Sequence, residues 1–216
     1  MERKWYLVIL ARQLGLELSG QDILQVSIGK FLQACPGIRI ITILPSECVR
    51  QWKDYCSIRN FNCPQRVLPA GFTPFHSIRK ALERIPPEAF VAIHDGDRPF
   101  VSASAIAAMV RKAEAGVRAV VPYVAAPGAI KVRTATGAYR SLSGGFFLSQ
   151  MPQVFRAEDL QAAYAQAYDT AFSDPASVVE KINIPPSPVE GEKWNVRVET
   201  AEDLAAGRAA ISAKNS

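Results

Sequence analysis

The sequence predicts a doubly wound α/β domain: a mostly parallel sheet with helices on both faces, three layers in all, and a protruding β-arm. Three observations predict it. From Trp5 to Pro122, apolar runs of strand length alternate with segments of helical period, in the order β-α-β-α-β-α-β with short connections. The run Ile38 to Leu44 is β-branched and continuous, as in a strand covered on both faces. From Tyr123 to Ser149 the rhythm breaks into Gly, Ala, Ser and Thr with only short β-like pieces, which fits an arm better than another crossover unit.

The elements follow in order. Trp5 to Leu10 reads as a buried first strand. Asp22 caps a helix running to about Cys35, because Ile23, Val26 or Ile28, Phe31 and Leu32 recur near the helical period; Pro36-Gly37 ends it. After the strand Ile38 to Leu44, Pro45 and Ser46 open a short helix over Val49 to Tyr55. Arg66 to Leu68 is a short strand, and Phe75 to Ile85 a helix closed by Pro86-Pro87. Phe90 to Ile93 is a strand. Ser102 or Ser104 caps a helix over Ala105 to Ala115, with Gly116 at its end, and Arg118 to Pro122 is the next strand. In the arm, Ile130 to Arg133 and Phe146 to Leu148 are β-like. Gln150 to Phe155 reads as a polar-proline turn, Glu158 to Ala171 as a helix, and Asp174 to Val179 as a short one. Pro185, Pro186 and Pro188 make a turn into a late strand, Trp194 to Val198. Thr200 with Asp203 resembles a capping box for the last helix.

A chain of 216 residues fits one domain, 1–216, with 123–149 as an arm inside it. The arm has little core of its own, so packing on a second subunit, as a homodimer, is a natural way to bury it. No apolar run is long enough to span a bilayer, and Met1 to Leu10 lacks a leader's cleavage pattern. Cys35, Cys48, Cys56 and Cys63 match no zinc spacing, so reduced thiols in the cytoplasm are expected. The net charge of +5 is scattered and joins no aromatic-and-basic motif, which argues against a nucleic-acid surface and suits a small anionic ligand.

The stretch Val91 to Phe100 concentrates the chemistry. Asp95 and Asp97 are two residues apart; in extended chain they point the same way and can share a divalent cation, or they can shape the turn through Asx bonds. Arg98 is a phosphate clamp or a turn-holding ion pair. His94 and His76 read as structural. Asp174 caps a helix, and can also reach a substrate hydroxyl or order a nearby basic group.

These pieces together resemble the 2-C-methyl-D-erythritol 4-phosphate cytidylyltransferase family. Its His-Asp-x-x-Arg-Pro is met by His94 to Pro99. Its Gln-Thr-Pro-Gln-x-Phe is nearly met by Gln150 to Phe155, and its Thr-Asp-x-Ala-Ser-x-x-Glu by Ser173 to Glu180. Its Asn-x-Lys-x-Thr-x-x-Glu-Asp-Leu is similar to Asn195 to Leu204, with Arg197 in the lysine's place. The resemblance implies a three-layer nucleotidyltransferase fold, like that of nucleotide-diphospho-sugar transferases, whose β-arm builds a homodimer. It also implies a Mg²⁺-assisted attack by a small phosphorylated polyol on the α-phosphate of CTP, or another nucleotide, releasing pyrophosphate. Asp95, Arg98 and Arg12 would then be catalytic, with Asp95 and Asp97 toward the metal. Asp97, Gln153, Asp174 and Arg197 would bind substrate.

The chain departs from the family where the triphosphate is held. The family's Ala-Ala-Gly-x-Gly-x-Arg-Met loop, which wraps phosphates in backbone N–H groups, has no counterpart; Leu10-Ala11-Arg12-Gln13-Leu14 passes straight to the stretch aligned with Pro-Lys-Gln. Arg12 is the remaining relic of that lysine. The family's Gly-Gly-x-x-Arg becomes Ala70 to Pro74 without the arginine, Ser143 stands about where an arm arginine would be, and Trp194 where an acid would be. Phosphoryl transfer rests on positioning and charge, so these losses predict inefficient turnover. The alternatives are an inactive relative acting as a dimeric ligand-binding or regulatory protein, and a nucleotide-sugar glycosyltransferase using Asp95-Gly96-Asp97 as an Asp-x-Asp motif.

Overall fold

Residues 4–126 and 128–214 are described in a computed structural model; Met1 to Arg3, position 127 of the arm and residues 215–216 lie outside the described residues. The first strand, β1 (Trp5–Leu10), is apolar along its whole length and alternates between two cores. Trp5, Leu7 and Ile9 face one side, Tyr6 and Val8 the other. Two further parallel strands behave alike: β4 (Arg39–Leu44) and β6 (Phe90–Asp95), which flank β1. This is why Ile38 to Leu44 shows no polar face. Each such side chain, fully removed from water, contributes roughly 1.5–3 kcal/mol.

Between β1 and β4 the chain forms a small hairpin, β2 (Glu17–Leu18) with β3 (Gln21–Asp22), then α1 (Ile23–Ala34). Ser19 and Gly20 both have positive φ, the conformation a tight hairpin turn demands, so Gly20 serves that turn. Asp22 caps α1 by accepting from the Leu24 N–H, as expected. Next come α2 (Cys48–Ile58), β5 (Gln65–Pro69), parallel to β4, and α3 (Pro74–Leu82), capped by Thr73. After β6, α4 (Ala103–Glu114) is capped by Ser102, which decides between the two predicted serines.

Then β7 (Ala119–Ala125) leads into the arm: a hairpin of β8 (Lys131–Arg133) and β9 (Tyr139–Ser141), returning along β7 as β10 (Phe147–Ser149). Val132, Tyr139, Phe147 and Leu148 are exposed along it.

Three expectations are corrected beyond this point. Gln150 to Phe155 is not only a turn: β11 (Gln153–Arg156) inserts antiparallel between β6 and β7. Its Val154 and Phe155 enter opposite cores, so four residues show no period to read. The helix α5 (Ala157–Tyr164) stops well short of Ala171, where an Asx turn at Asp169 takes over. After α6 (Pro175–Glu180), the late strand is β12 (Ser187–Glu190), beside β7, and not Trp194 to Val198. Pro188 is tolerated because β12 pairs with β7 alone, as an edge strand. Trp194 to Val198 instead makes turn bonds, Asn195 N–H to the Glu192 carbonyl and Val196 N–H to that of Trp194. The chain closes with α7 (Ala201–Lys214), started by the predicted Thr200–Asp203 box.

The eight-stranded sheet runs β10-β7-β11-β6-β1-β4-β5, with β12 on β7. Helices α1, α2 and α4 cover one face and α3, α5 and α6 the other. The sheet is therefore mixed but mostly parallel across its centre, in three layers. No helix among the described residues is long and apolar enough to cross a membrane.

Candidate active site

In an open α/β sheet, ligand sites form beyond the carboxyl ends of the central strands. Here that edge is the side-by-side ends of β1 and β6, where Leu10 pairs with Asp95. The Gly96 N–H bonds the Leu10 carbonyl at 2.7 Å, pulling the β6 turn against β1. Gly96 has no room for a side chain: a Cβ would lie 2.8 Å from Leu24 Cδ1 and 2.9 Å from Ala11 Cβ. His94 is fully buried, and burial pushes its pKa down to about 4. The neutral ring donates from Nε2 to the Arg98 carbonyl at 3.2 Å and so fixes the turn, the structural role expected of it.

The turn aims Asp95 at two guanidiniums. Arg98 Nε donates to Asp95 Oδ2 at 3.1 Å, while its Nη1 donates to the Asn195 carbonyl at 2.9 Å. Arg197 Nη2 donates to the same Oδ2 at 2.5 Å. Burial lifts the Asp95 carboxyl, but the arginines, Arg197 foremost, outweigh it and hold the group below the usual range. Arg197 reaches this point because the Trp194 to Val198 segment crosses beneath the turn, the Val198 N–H bonding the Asp97 carbonyl at 2.8 Å. Glu199 completes the cluster: Arg12 pairs with it at 3.1 Å, and Arg197 approaches it at 3.9 Å.

Asp97 behaves differently from its neighbour. It is 4% exposed, and burial and the charge of Asp95 raise its pKa to about 6. Its Oδ1 has no hydrogen-bond partner; the nearest cation is Arg197, whose Nε lies 3.7 Å away.

On the far wall, Gln153 is wholly buried and uses both ends of its amide. It donates to Asp174 Oδ2 at 2.8 Å and accepts from the Ala176 N–H at 2.8 Å. Asp174 caps α6 with its other oxygen and also accepts from Ser149 Oγ at 2.7 Å.

Six of the seven residues singled out from the sequence line one cavity of about 200 Å³: Arg12, Asp95, Arg98, Gln153, Asp174 and Arg197. Asp97 does not line it. Ser149, Ser173 and Glu199 join the wall or its ion pairs without having been singled out. Ser149 immediately precedes one quoted motif, while Ser173 opens another and Glu199 lies inside a third, so the motifs themselves were the available signal.

The carboxylates do not fit a cation held by the protein itself. Asp95 is engaged by two arginines, Asp97 is withdrawn, and no group of three or more His, Cys, Asp or Glu that suits a metal occurs among the described residues. Two backbone N–H groups between β1 and α1, those of Gly15 and Leu24, are taken by the Asp22 carboxylate at 2.7 and 2.9 Å.

The family model for 2-C-methyl-D-erythritol 4-phosphate cytidylyltransferase matches residues 11–213. A curated 2-C-methyl-D-erythritol 4-phosphate cytidylyltransferase from Phocaeicola vulgatus is 33% identical over 189 residues, covering 88% of this chain and 86% of the relative. One from Porphyromonas gingivalis is 32% identical over 216 residues, covering 94% and 96%. Among solved structures, a 4-diphosphocytidyl-2C-methyl-D-erythritol synthase superimposes with a TM-score of 0.81 at 19% identity, covering 98% of this chain and 100% of the other. The corresponding synthase from Anaerococcus prevotii gives 0.80 at 20%, covering 97% and 99%. At such identities these two likenesses speak for the fold, and the sequence matches speak for the lineage. The chain belongs to the 2-C-methyl-D-erythritol 4-phosphate cytidylyltransferase family.

Proposed function

We propose that the cavity takes the family's substrates, a cytidine nucleotide and a small phosphorylated polyol. In this reading the chain transfers CMP from CTP to 2-C-methyl-D-erythritol 4-phosphate, with pyrophosphate leaving, and does so slowly. The observation that carries the reading is the convergence of Arg12, Asp95, Arg98, Gln153, Asp174 and Arg197 on one cavity at the ends of β1 and β6. A phosphate oxygen of the polyol would attack the α-phosphorus, and Arg12 and Arg197 would offset the charge that develops. Arg98 and Gln153 act through others, holding Asp95 and Asp174 in place.

Slowness follows from the missing loop. Loss of a single oxyanion donor costs about 3–4 kcal/mol, or roughly 10²–10³ in rate. Here several backbone donors are absent, and others are bound to Asp22.

A second reading is binding without turnover, as a dimeric ligand-binding or regulatory protein. It is favoured by the two guanidiniums that meet at Asp95 Oδ2, which tie that oxygen into an ion-pair cluster. No observation favours the Asp-x-Asp glycosyltransferase alternative, since Asp97 stays outside the cavity. The exposed arm residues Val132, Tyr139, Phe147 and Leu148 are where a second copy would dock, and the free cysteines suit a reducing cytoplasm.

Pyrophosphate release from CTP, 2-C-methyl-D-erythritol 4-phosphate and Mg²⁺, run beside calorimetry of each substrate, tests the reading. Slow release with measurable binding is expected. Binding with no release would establish the second reading. Absence of binding by either substrate would defeat both.

A further inference from the structure

We infer that the Arg197 guanidinium takes the place of a divalent cation between Asp95 and Asp97, so that this cleft receives phosphate groups on arginine rather than on a metal. The inference deepens the proposed function and rests on the same cavity. Its basis is the position of one side chain. Arg197 Nη2 contacts Asp95 Oδ2 at 2.5 Å, and Arg197 Nε faces Asp97 Oδ1 at 3.7 Å. Both Nε and Oδ1 are buried and without another partner, so each is the other's nearest complement. The third nitrogen, Nη1, points toward Glu199 at 3.9 Å.

A bridging position between two carboxylates two residues apart is what a shared cation would occupy. A planar fork of donors can address both carboxylates at once, whereas the point charge of a lysine at this place would satisfy one. The charges also close. Asp95, Asp97 and Glu199 face Arg12, Arg98 and Arg197, so the cluster holds no surplus of negative charge to draw a cation in. Asp97 is withdrawn from solvent with one oxygen unpartnered, an unfavourable arrangement for a carboxylate unless a positive charge stands beside it.

The experiment uses Mn²⁺ alone, read by its electron paramagnetic resonance signal, and inorganic pyrophosphate read by calorimetry in chelator. The wild-type chain is expected to leave Mn²⁺ free at millimolar concentration and to bind pyrophosphate without metal. Arg197→Gln is expected to tighten Mn²⁺ binding by at least about tenfold, since two carboxylates lose their cation. Adding Asp97→Asn to that variant should reverse the gain. If Arg197→Gln does not fold, Arg197→Lys, which keeps the charge but cannot bridge, should show a smaller gain of the same sign. Tight Mn²⁺ binding by the wild-type chain, or no gain in either variant, would overturn the inference. Failure to bind CTP or the polyol phosphate would defeat the proposed function instead, so the two are told apart.

Discussion

At the carboxyl edge of the sheet, β6 and β1 lie side by side but leave it in different ways. From β6 the chain enters a turn in which every residue from His94 to Arg98 is held: by burial, by the Gly96 contact with Leu24 and Ala11, and by arginines converging on Asp95. From β1 it enters Ala11 to Leu14, where Arg12 has a side chain 60% exposed and is tied to one equally exposed glutamate. The packed end knits its charged groups into the turn. The open end, Ala11 to Leu14, has no glycine with which to bend tightly around a phosphate. A segment with few core contacts can vary without disturbing the core, whereas groups knitted into a turn cannot leave without cost.

Three changes break or sharpen this contrast, in falling order of effect. Asp95→Asn removes the charge shared by Arg98 and Arg197. The full penalty for orphaning a buried charge is reduced by their partial exposure, so a loss of about 2–3 kcal/mol is expected in urea unfolding. A loss below about 0.5 kcal/mol would show that the turn does not depend on this carboxylate.

Asp97→Asn acts with the opposite sign. The folded-state pKa of Asp97 is about 6 against an ordinary 3.8, so the native state holds the extra proton in that window and stability falls as pH rises through it. His94, at about 4 against an ordinary 6.5, gives stability that rises with pH over an overlapping window. The two slopes oppose each other in the wild-type chain. Asp97→Asn is expected to raise stability at neutral pH by about 1 kcal/mol and to expose a steady loss on acidification from pH 6.5 toward 4. Unfolding curves across that range check it, and an unchanged profile would contradict the burial argument.

Arg12→Ala should be nearly silent in stability, within about 0.5 kcal/mol, because exposed ion pairs contribute little. Its effect belongs in calorimetry, as weaker pyrophosphate binding. A large stability loss instead would mean that the end of β1 is as built-in as that of β6.

The strands and helices of the doubly wound half were legible because their apolar runs and caps are local signals. Ile38 to Leu44, Asp22 and Ser102 all behave as their residue types dictate. The family motifs were legible for the same reason, and with them six of the residues that line the cavity. What stayed hidden depends on distant partners. Gln153 to Arg156 becomes a strand only because β6 and β7 offer their edges to it, and Ser187 to Glu190 only because β7 is free on that side. Trp194 to Val198 looks like a strand until the turn at Asp97 takes its backbone. Whether Asp95 and Asp97 face one point was likewise beyond sequence spacing. Backbone periodicity determines which residues share a face, but only the packed chain decides that Asp97 is buried and that Arg197, 100 residues on, stands between the two acids.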